Sequence, residues 1–367
     1  MPLVDYQSTR RPLIEIDLNL APFERWKEAG KTHAKLLRRF LSEVEASAAS
    51  LIKTHLNQKL PSSLATLLGK KASPSLISKS LSGSGTLALT FARCFGAEYQ
   101  EEIQGLAAAA NVCPGKLFLA NLTYDISVLL SSSSKACSSL SLSMHGSPVL
   151  VRNMDWDMPR STGRYTFITR FRKNGSSYLN IGPLGCVGVL SAMREGAWAV
   201  TLNQAPRNGL PNPTAWPSMH HLRAACDASL SFDSLVRKIR KQQTLTPFFA
   251  HVVGTQPEQQ VLIEHISNKA YLRRPDPRGT LVQTNHFVSA KNASLNRGAE
   301  DDRGRTDCTS DFYCARYEAL ERRTDKKPRT LKEAFDTLAR SPVTYESTMN
   351  AMLLRPSTGQ SIVYVRD

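Results

Sequence analysis

No run in the sequence approaches the roughly 18 consecutive apolar residues that a membrane-spanning helix requires, so a helix-anchored membrane protein is not the expected class. The opening MPLVDYQSTRRPLIEIDLNL lacks the unbroken apolar stretch of a secretory leader, and an intracellular, cytoplasmic protein with a near-neutral pH optimum is the expectation. There is no CxxC pair and no cysteine–histidine spacing that suits zinc, so neither metal nor cofactor is expected. The seven cysteines are scattered and odd in number, which favours reduced thiols over a disulfide framework. Internal repeats and heptad seams are missing too, excluding solenoids and coiled coils.

Acidic residues are few beside the basic ones. Thirty-one Asp and Glu face 47 Lys and Arg, for a formal charge of +16. Such a field attracts nucleic acid, an anionic membrane or an acidic substrate alike. The basic residues gather as Arg38-Arg39, Arg237-Lys238 with Arg240-Lys241, and Arg322-Arg323 with Lys326-Lys327, on stretches that read as solvated helix faces. No interleaved aromatic RNA-binding motif accompanies them. Nucleic acid is therefore not an expected partner, whereas an anionic membrane surface stays open.

What is present is ordinary for a globular chain of 367 residues: 41% hydrophobic and 21% charged, enough for a large core. From Pro22 to about Gln58 the apolar positions recur at helical spacing, as one long helix or two joined near Gly30. Helical patterning resumes after the Ser/Gly-rich stretch at 81–87, through EEIQGLAAAA and then 117–130, with Pro114 placed to open the last helix. The first third thus reads as essentially helical. Past SSSSKACSS the pattern becomes strand-like: Leu140 and Leu142, 149–151, Tyr165 with Phe167 and Phe171, 197–202, 261–263, 349–352 and 362–364. Helical stretches at about 219–242, 311–323 and near Leu331 interrupt these strands. Many antiparallel strands with segregated helices imply an α+β layered fold, with a helical part at 1–136 and a strand-rich part at 137–367 forming one structural unit.

Cys137 stands at that boundary. By composition it is an ordinary thiol after a serine linker. Chemically, a cysteine made the first residue of a chain carries its own base, because its α-amino group titrates near roughly 7.7 to 8.0 and can take the thiol proton. The eight histidines offer no evident triad partner, which suits that arrangement. Such a terminus arises when the thiol attacks the preceding carbonyl and water releases the upstream piece, here between Ala136 and Cys137.

The order of motifs along nearly the whole chain resembles that of the cysteine N-terminal-nucleophile hydrolases: acid ceramidase, N-acylethanolamine acid amidase and the penicillin acyltransferase group, which are related to bile salt hydrolase. IDLNLAPFERWKEAG resembles the family's first strand and helix, EEIQGLAAAANV with NLTYD the helices before the cut, ACSSLSL with VRNMDWD the nucleophile hairpin, and VQTNHF with EDDR the downstream region. The resemblance implies a four-layer αββα sandwich and an amidase acting on an N-acyl, fatty-acyl amide through a thioester. It leaves acyl transfer to an amine, or a basic lipid-surface module without catalysis, as alternatives. A lysosome-like compartment follows from it only by analogy.

Residue by residue, Cys137 matches the nucleophile. Arg152 and Asp155 follow it by 15 and 18 residues, within reach of a hairpin. In the family the aspartate contacts the freed amine and the arginine tunes both by charge. Asn285 matches an oxyanion donor. Asn203 matches a site residue at a strand end, followed by Gln204 where ceramidases carry glutamate. Arg303 matches the basic position of the family's DDRR run, with Arg316 as competitor. Gln204, Trp216 in the proline-rich stretch 206–217, and His286 are the candidates for lining the substrate pocket. The two cleaved pieces are expected to stay together.

Overall fold

The computed structural model describes residues 11–56, 92–130, 137–156, 160–207, 211–212, 214–309 and 311–365. Gln58, the Ser/Gly-rich stretch, the serine linker and Ala136 lie outside the described residues.

The expected long helix is two, α1 (Lys27–Thr32) and α2 (Ala34–Leu56), joined at His33. They are followed by α3 (Ala97–Ala110), which ends on the left-handed Asn111, and α4 (Pro114–Leu130), opened by the proline as the pattern predicts. The upstream part is not purely helical. Strand β1 (Leu13–Asp17) alternates exposed and buried positions, with Ile14 and Ile16 turned inward. It pairs parallel with β4 (Thr166–Lys173), so the chain before Cys137 supplies an edge strand to the sheet formed after it.

That sheet has eight strands in the order β1, β4, β5 (Ser176–Pro183), β6 (Ser191–Arg194), β7 (Trp198–Gln204), β8 (Phe248–Val253), β9 (Gln260–His265) and β10 (Ala270–Arg273). A second sheet of five runs β11 (Thr280–Gln283), β2 (Ser138–Met144), β3 (Ser147–Asp155), β12 (Thr348–Arg355) and β13 (Gln360–Val365). The helical stretch expected at 219–242 is α5 (Ser218–Asp227) and α6 (Phe232–Lys241), the latter started by Ser231, whose hydroxyl accepts from the Ser234 amide. Helices α7 (Ala315–Thr324) and α8 (Leu331–Asp336) complete the α-helices among the described residues.

Strand periodicity sorts these into layers. Trp198, Val200 and Leu202 of β7 and Phe248, Ala250 and Val252 of β8 pack against residues of α1 to α6 in one core cluster. Their alternate neighbours Ala199 and Val253 meet Leu150, Met352 and Leu354 of the second sheet. On the far side of that sheet Leu140, Leu142, Val149 and Val151 cover Leu320 of α7 and Ala334 and Phe335 of α8. Each such large side chain fully buried contributes about 1.5–3 kcal/mol. The expected αββα sandwich is thus the observed fold.

Two local features set up the site. Strand β2 reads Ser-Ser-Leu-Ser-Leu-Ser-Met, and the alternation sends its leucines to the helices and Ser139 and Ser141 between the sheets. There both bond to His251 of β8, at 3.0 and 2.8 Å. In α3, Gly105 lets the backbone of Phe23 come so close that a Cβ would lie 1.8 Å from the Phe23 carbonyl oxygen.

Candidate active site

Cys137 immediately precedes β2 and is buried. The β2–β3 hairpin pairs Ser139 with Arg152 and Ser138 with Asn153, which returns β3 alongside the cysteine as the spacing predicts. Arg152 points between the sheets. Its Nη1 donates to the Leu190 carbonyl at 3.1 Å and to the Ser191 hydroxyl, and its Nη2 to the Leu202 carbonyl at 2.6 Å. With the guanidinium clamped by those acceptors, Nη2 also donates to Cys137 Sγ at 3.0 Å. A positive charge and a directed donor thus stand beside the sulfur.

Asp155 closes the other side. Its carbonyl oxygen is 3.8 Å from Cys137 Sγ, and its Oδ1 accepts from the Thr348 hydroxyl at 2.5 Å. Its Oδ2 is 3.7 Å from Nη1 of Arg316.

Arg316, on the first turn of α7, is the competing arginine that reaches Cys137. It is buried, and it donates to the Cys137 carbonyl and the Ser138 hydroxyl, both at 3.2 Å, and to Asn285 Oδ1 at 2.9 Å. Burial works against its charge, but Cys314, Tyr345, Asp155 and Asp302 outweigh it and leave its pKa above the ordinary value. Arg303 does not come to the cysteine. It is exposed, with its guanidinium 4.2 Å from the Tyr313 ring. The reason is that its loop folds on Asp301, which accepts from the amides of Arg303 and Arg305, while Asp302 accepts from the Ala315 amide and so anchors the start of α7. The DDR run thereby positions Arg316 instead of reaching the site itself.

Asn285 is gathered in: Nδ2 donates to the Gln204 carbonyl at 2.8 Å, and the bond from Arg316 fixes Oδ1 as the opposite end. Asn203 lies behind the cleft, where Nδ2 donates to the Ser139 hydroxyl at 3.1 Å and to the Gln283 and Thr284 carbonyls at 3.3 and 3.4 Å. Gln204 lines the cleft, together with Tyr124, Ser127, Met154, Trp156, Leu190 and Leu202. The Tyr124 hydroxyl donates to the Asn203 and Pro247 carbonyls, and burial, with Asp125 and Cys137 nearby, pushes its pKa well above the usual phenol value.

Two expected pocket residues are elsewhere. Trp216 packs edge-on against Tyr99, centroids 5.8 Å apart, and under Gly96, because its strand-like bridge to Thr244 turns the ring toward α3. His286 stacks on Phe312 at 5.0 Å and bonds Thr284. Both are packing groups. Sequence reasoning passed over Tyr124 and Trp156 as lining residues, although both stand inside motifs singled out, NLTYD and NMDWD. A second, apolar hollow shares Trp156 and is formed by Phe40, Val44, Ala120, Thr123, Pro183, Cys186 and Met349.

No family model matches the chain. Over 385 residues it is 21% identical to acid ceramidase of Balaenoptera acutorostrata scammoni and 20% identical to that of Homo sapiens, each alignment covering 97% of this chain and 86% of the relative. Over 213 residues, 55% of this chain and 51% of the relative, it is 25% identical to the N-acylethanolamine-hydrolyzing acid amidase of Caenorhabditis elegans. The solved structure of the Caenorhabditis elegans ortholog of that amidase superposes with a TM-score of 0.50 at 18% identity, over 62% of this chain and 99% of the other. The two packed sheets between helical layers, with a cysteine at the head of an inner strand, are the fold of the N-terminal-nucleophile hydrolases. Within that fold class the sequences it is similar to are acid ceramidase and N-acylethanolamine-hydrolyzing acid amidase.

Proposed function

We propose that this chain is an autoprocessed cysteine amidase. Cys137 attacks the Ala136 carbonyl, the acyl group shifts to sulfur, and water frees a new N-terminus. The Cys137 thiolate then attacks the carbonyl of an N-acyl amide, expels the amine it carries, and holds the acyl group as a thioester until water removes it. The observation that carries this reading is the convergence of Arg152 on Cys137 Sγ at 3.0 Å with Arg316 on the Cys137 carbonyl at 3.2 Å and Asp155 between them. No histidine is among the described residues that line the cleft, which supports the freed α-amine as the base.

A fatty-acyl substrate such as ceramide or an N-acylethanolamine is supported by the names of the relatives and by the apolar hollow adjoining the cleft at Trp156. Retention of the upstream piece after cleavage is supported by β1 and by Phe40 of α2, whose ring lies 5.2 Å from Tyr165. An intracellular setting is supported by seven free cysteines. No helix among the described residues is long and apolar enough to cross a membrane. Two of the three Asn-x-Ser/Thr sites, Asn121 and Asn292, are buried and hydrogen-bonded, and only Asn174 is exposed.

Intact-mass analysis of the purified protein beside hydrolysis of a fluorogenic N-acyl amide tests the reading. Fragments meeting between Ala136 and Cys137, with both cleavage and hydrolysis lost in Cys137→Ala, are expected. An uncut protein with full activity would overturn the assignment of the base. Added amine capturing the acyl group in preference to water would establish acyl transfer instead.

A further inference from the structure

The groups gathered at Cys137 straddle the two sheets. Cys137 heads β2, and Arg152 and Asp155 lie on β3, all in the five-stranded sheet. The carbonyls that clamp the Arg152 guanidinium come from the eight-stranded sheet, from Leu190 just before β6 and from Leu202 of β7. A small slide of one sheet over the other would therefore pull the guanidinium away from the sulfur. Apolar packing is non-directional and fixes such a slide poorly, so the register between the sheets calls for polar ties.

His251 of β8 supplies one. Its ring is fully buried between the sheets and bonds two serines of β2, Ser139 at Nδ1, 3.0 Å away, and Ser141 at Nε2, 2.8 Å away. The far end of this chain sets the direction of each bond. Nε2 of Gln260 donates to the Pro257 carbonyl at 3.0 Å, so Oε1 faces Ser141 and takes its hydroxyl hydrogen at 2.8 Å. Ser141 is left with only lone pairs for the ring, and His251 Nε2 carries the proton. Burial pushes the pKa of the ring down to about 3, so Nδ1 stays bare and accepts from the Ser139 hydroxyl. A chain whose bonds all run one way holds its geometry more firmly than separate bonds do.

Ser139 is where that chain meets the site. It stands two residues after Cys137 and pairs directly with Arg152 across the β2–β3 hairpin. His251 thus holds the root of the Arg152 side chain, while the Leu190 and Leu202 carbonyls hold its head. Asn203 Nδ2 also reaches Ser139, at 3.1 Å, but divides itself between that hydroxyl and two carbonyls and adds a looser tie. We infer, on the amidase reading of Cys137, that His251 is a positioning residue: through Ser139 it sets where Arg152 meets the Cys137 sulfur.

Kinetics on a fluorogenic N-acyl amide, with the full chain in two matched pairs of variants, test this. Ser139→Ala and Ser141→Ala each remove one buried hydroxyl bonded to the ring, so both should lower the melting temperature. Ser139→Ala is expected to lower kcat by about 10-fold to 100-fold, while Ser141→Ala, on the far side of the ring, keeps it within about threefold. KM should hold in both, since neither serine is among the described residues that line the cleft. His251→Phe removes both bonds and should behave as Ser139→Ala does. His251→Asn, whose side-chain oxygen stands in for Nδ1, should recover most of the kcat lost in His251→Phe. Alkylation of Cys137 by iodoacetamide, followed by peptide mass, reads the same contact without substrate and should slow in Ser139→Ala and His251→Phe. That alkylation pattern in a protein that hydrolyses no N-acyl amide would sink the amidase reading and leave the hold of His251 on Cys137 standing. Equal loss of kcat in the two serine variants, a change in KM instead of kcat, or alkylation rates that follow melting temperature alone would overturn the role of His251.

Discussion

Arg316 and Asn285 form one unit: the guanidinium on α7 bonds the asparagine oxygen at 2.9 Å while its other nitrogen bonds the Cys137 carbonyl. One side chain therefore sets both the backbone at Cys137 and the direction of the Asn285 amide. Arg316→Lys keeps the charge and loses the fork, so kcat is expected to fall about 100-fold, and self-cleavage followed by gel should slow with it. Arg303→Ala, on the exposed loop, should leave both rates within a factor of about two.

The two asparagines should separate cleanly. Asn285→Ala removes the amide held between the Gln204 carbonyl and Arg316 and, if that amide serves the oxyanion as the resemblance implies, is expected to lower kcat by about 100-fold to 1000-fold with little change in KM. Asn203→Ala instead removes the amide that ties β7 to Ser139 of β2, to Gln283 of β11 and to Thr284 just after it. Its main effect should be on the melting temperature, with a loss of about 2–3 kcal/mol, read by thermal denaturation.

Acid should destabilise the fold. Burial pushes His220, His251, His265 and His286 down to about 3, so they stay neutral in the folded chain. The unfolded chain takes those protons near roughly 6.5, and the stability present above that pH is lost as pH falls from there toward 3. Asp125 acts in the opposite sense: burial raises it to about 6, so it adds stability at low pH that disappears as pH rises through 6. Four histidines outweigh one carboxyl. The melting temperature at pH 5 is expected to be about 10 °C or more below that at pH 7.5. A melting temperature that rises on acidification would refute this and favour an acidic working compartment.

Gly105→Ala should be among the most damaging single-methyl additions. The new carbon meets backbone, at 1.8 Å from the Phe23 oxygen, not a side chain that can swing aside. A loss of about 3 kcal/mol or more is expected by denaturant titration, against the slight gain that alanine gives in an unconstrained helix.

The layered fold was legible because its strands alternate in period two and its helices carry clear apolar faces. The placing of Arg152 and Asp155 beside Cys137 was legible because 15 and 18 residues are within reach of a hairpin, whereas the roles expected of the three rest on the resemblance alone, since by composition Cys137 is an ordinary thiol. Arg303 was preferred over Arg316 because the DDR run is a sequence pattern, whereas the burial of Arg316 depends on α7 packing across β2 and β11. The same limit applies to Trp216 and His286. An aromatic near a motif looks identical in sequence whether it faces a cleft or, as here, Tyr99 and Phe312. His251 gave no sign at all, since its role needs two serines from another sheet, 112 and 110 residues away.

The parallel pairing of β1 with β4 has a consequence for the protein once it is cut before Cys137 as proposed. If the upstream piece dissociated, β4 would become a bare sheet margin with unpaired amides and carbonyls along Thr166–Lys173, a template for joining the margin of another molecule. The two pieces are thus expected to age as a permanent heterodimer, in which separation ends in aggregation and not in a free catalytic subunit.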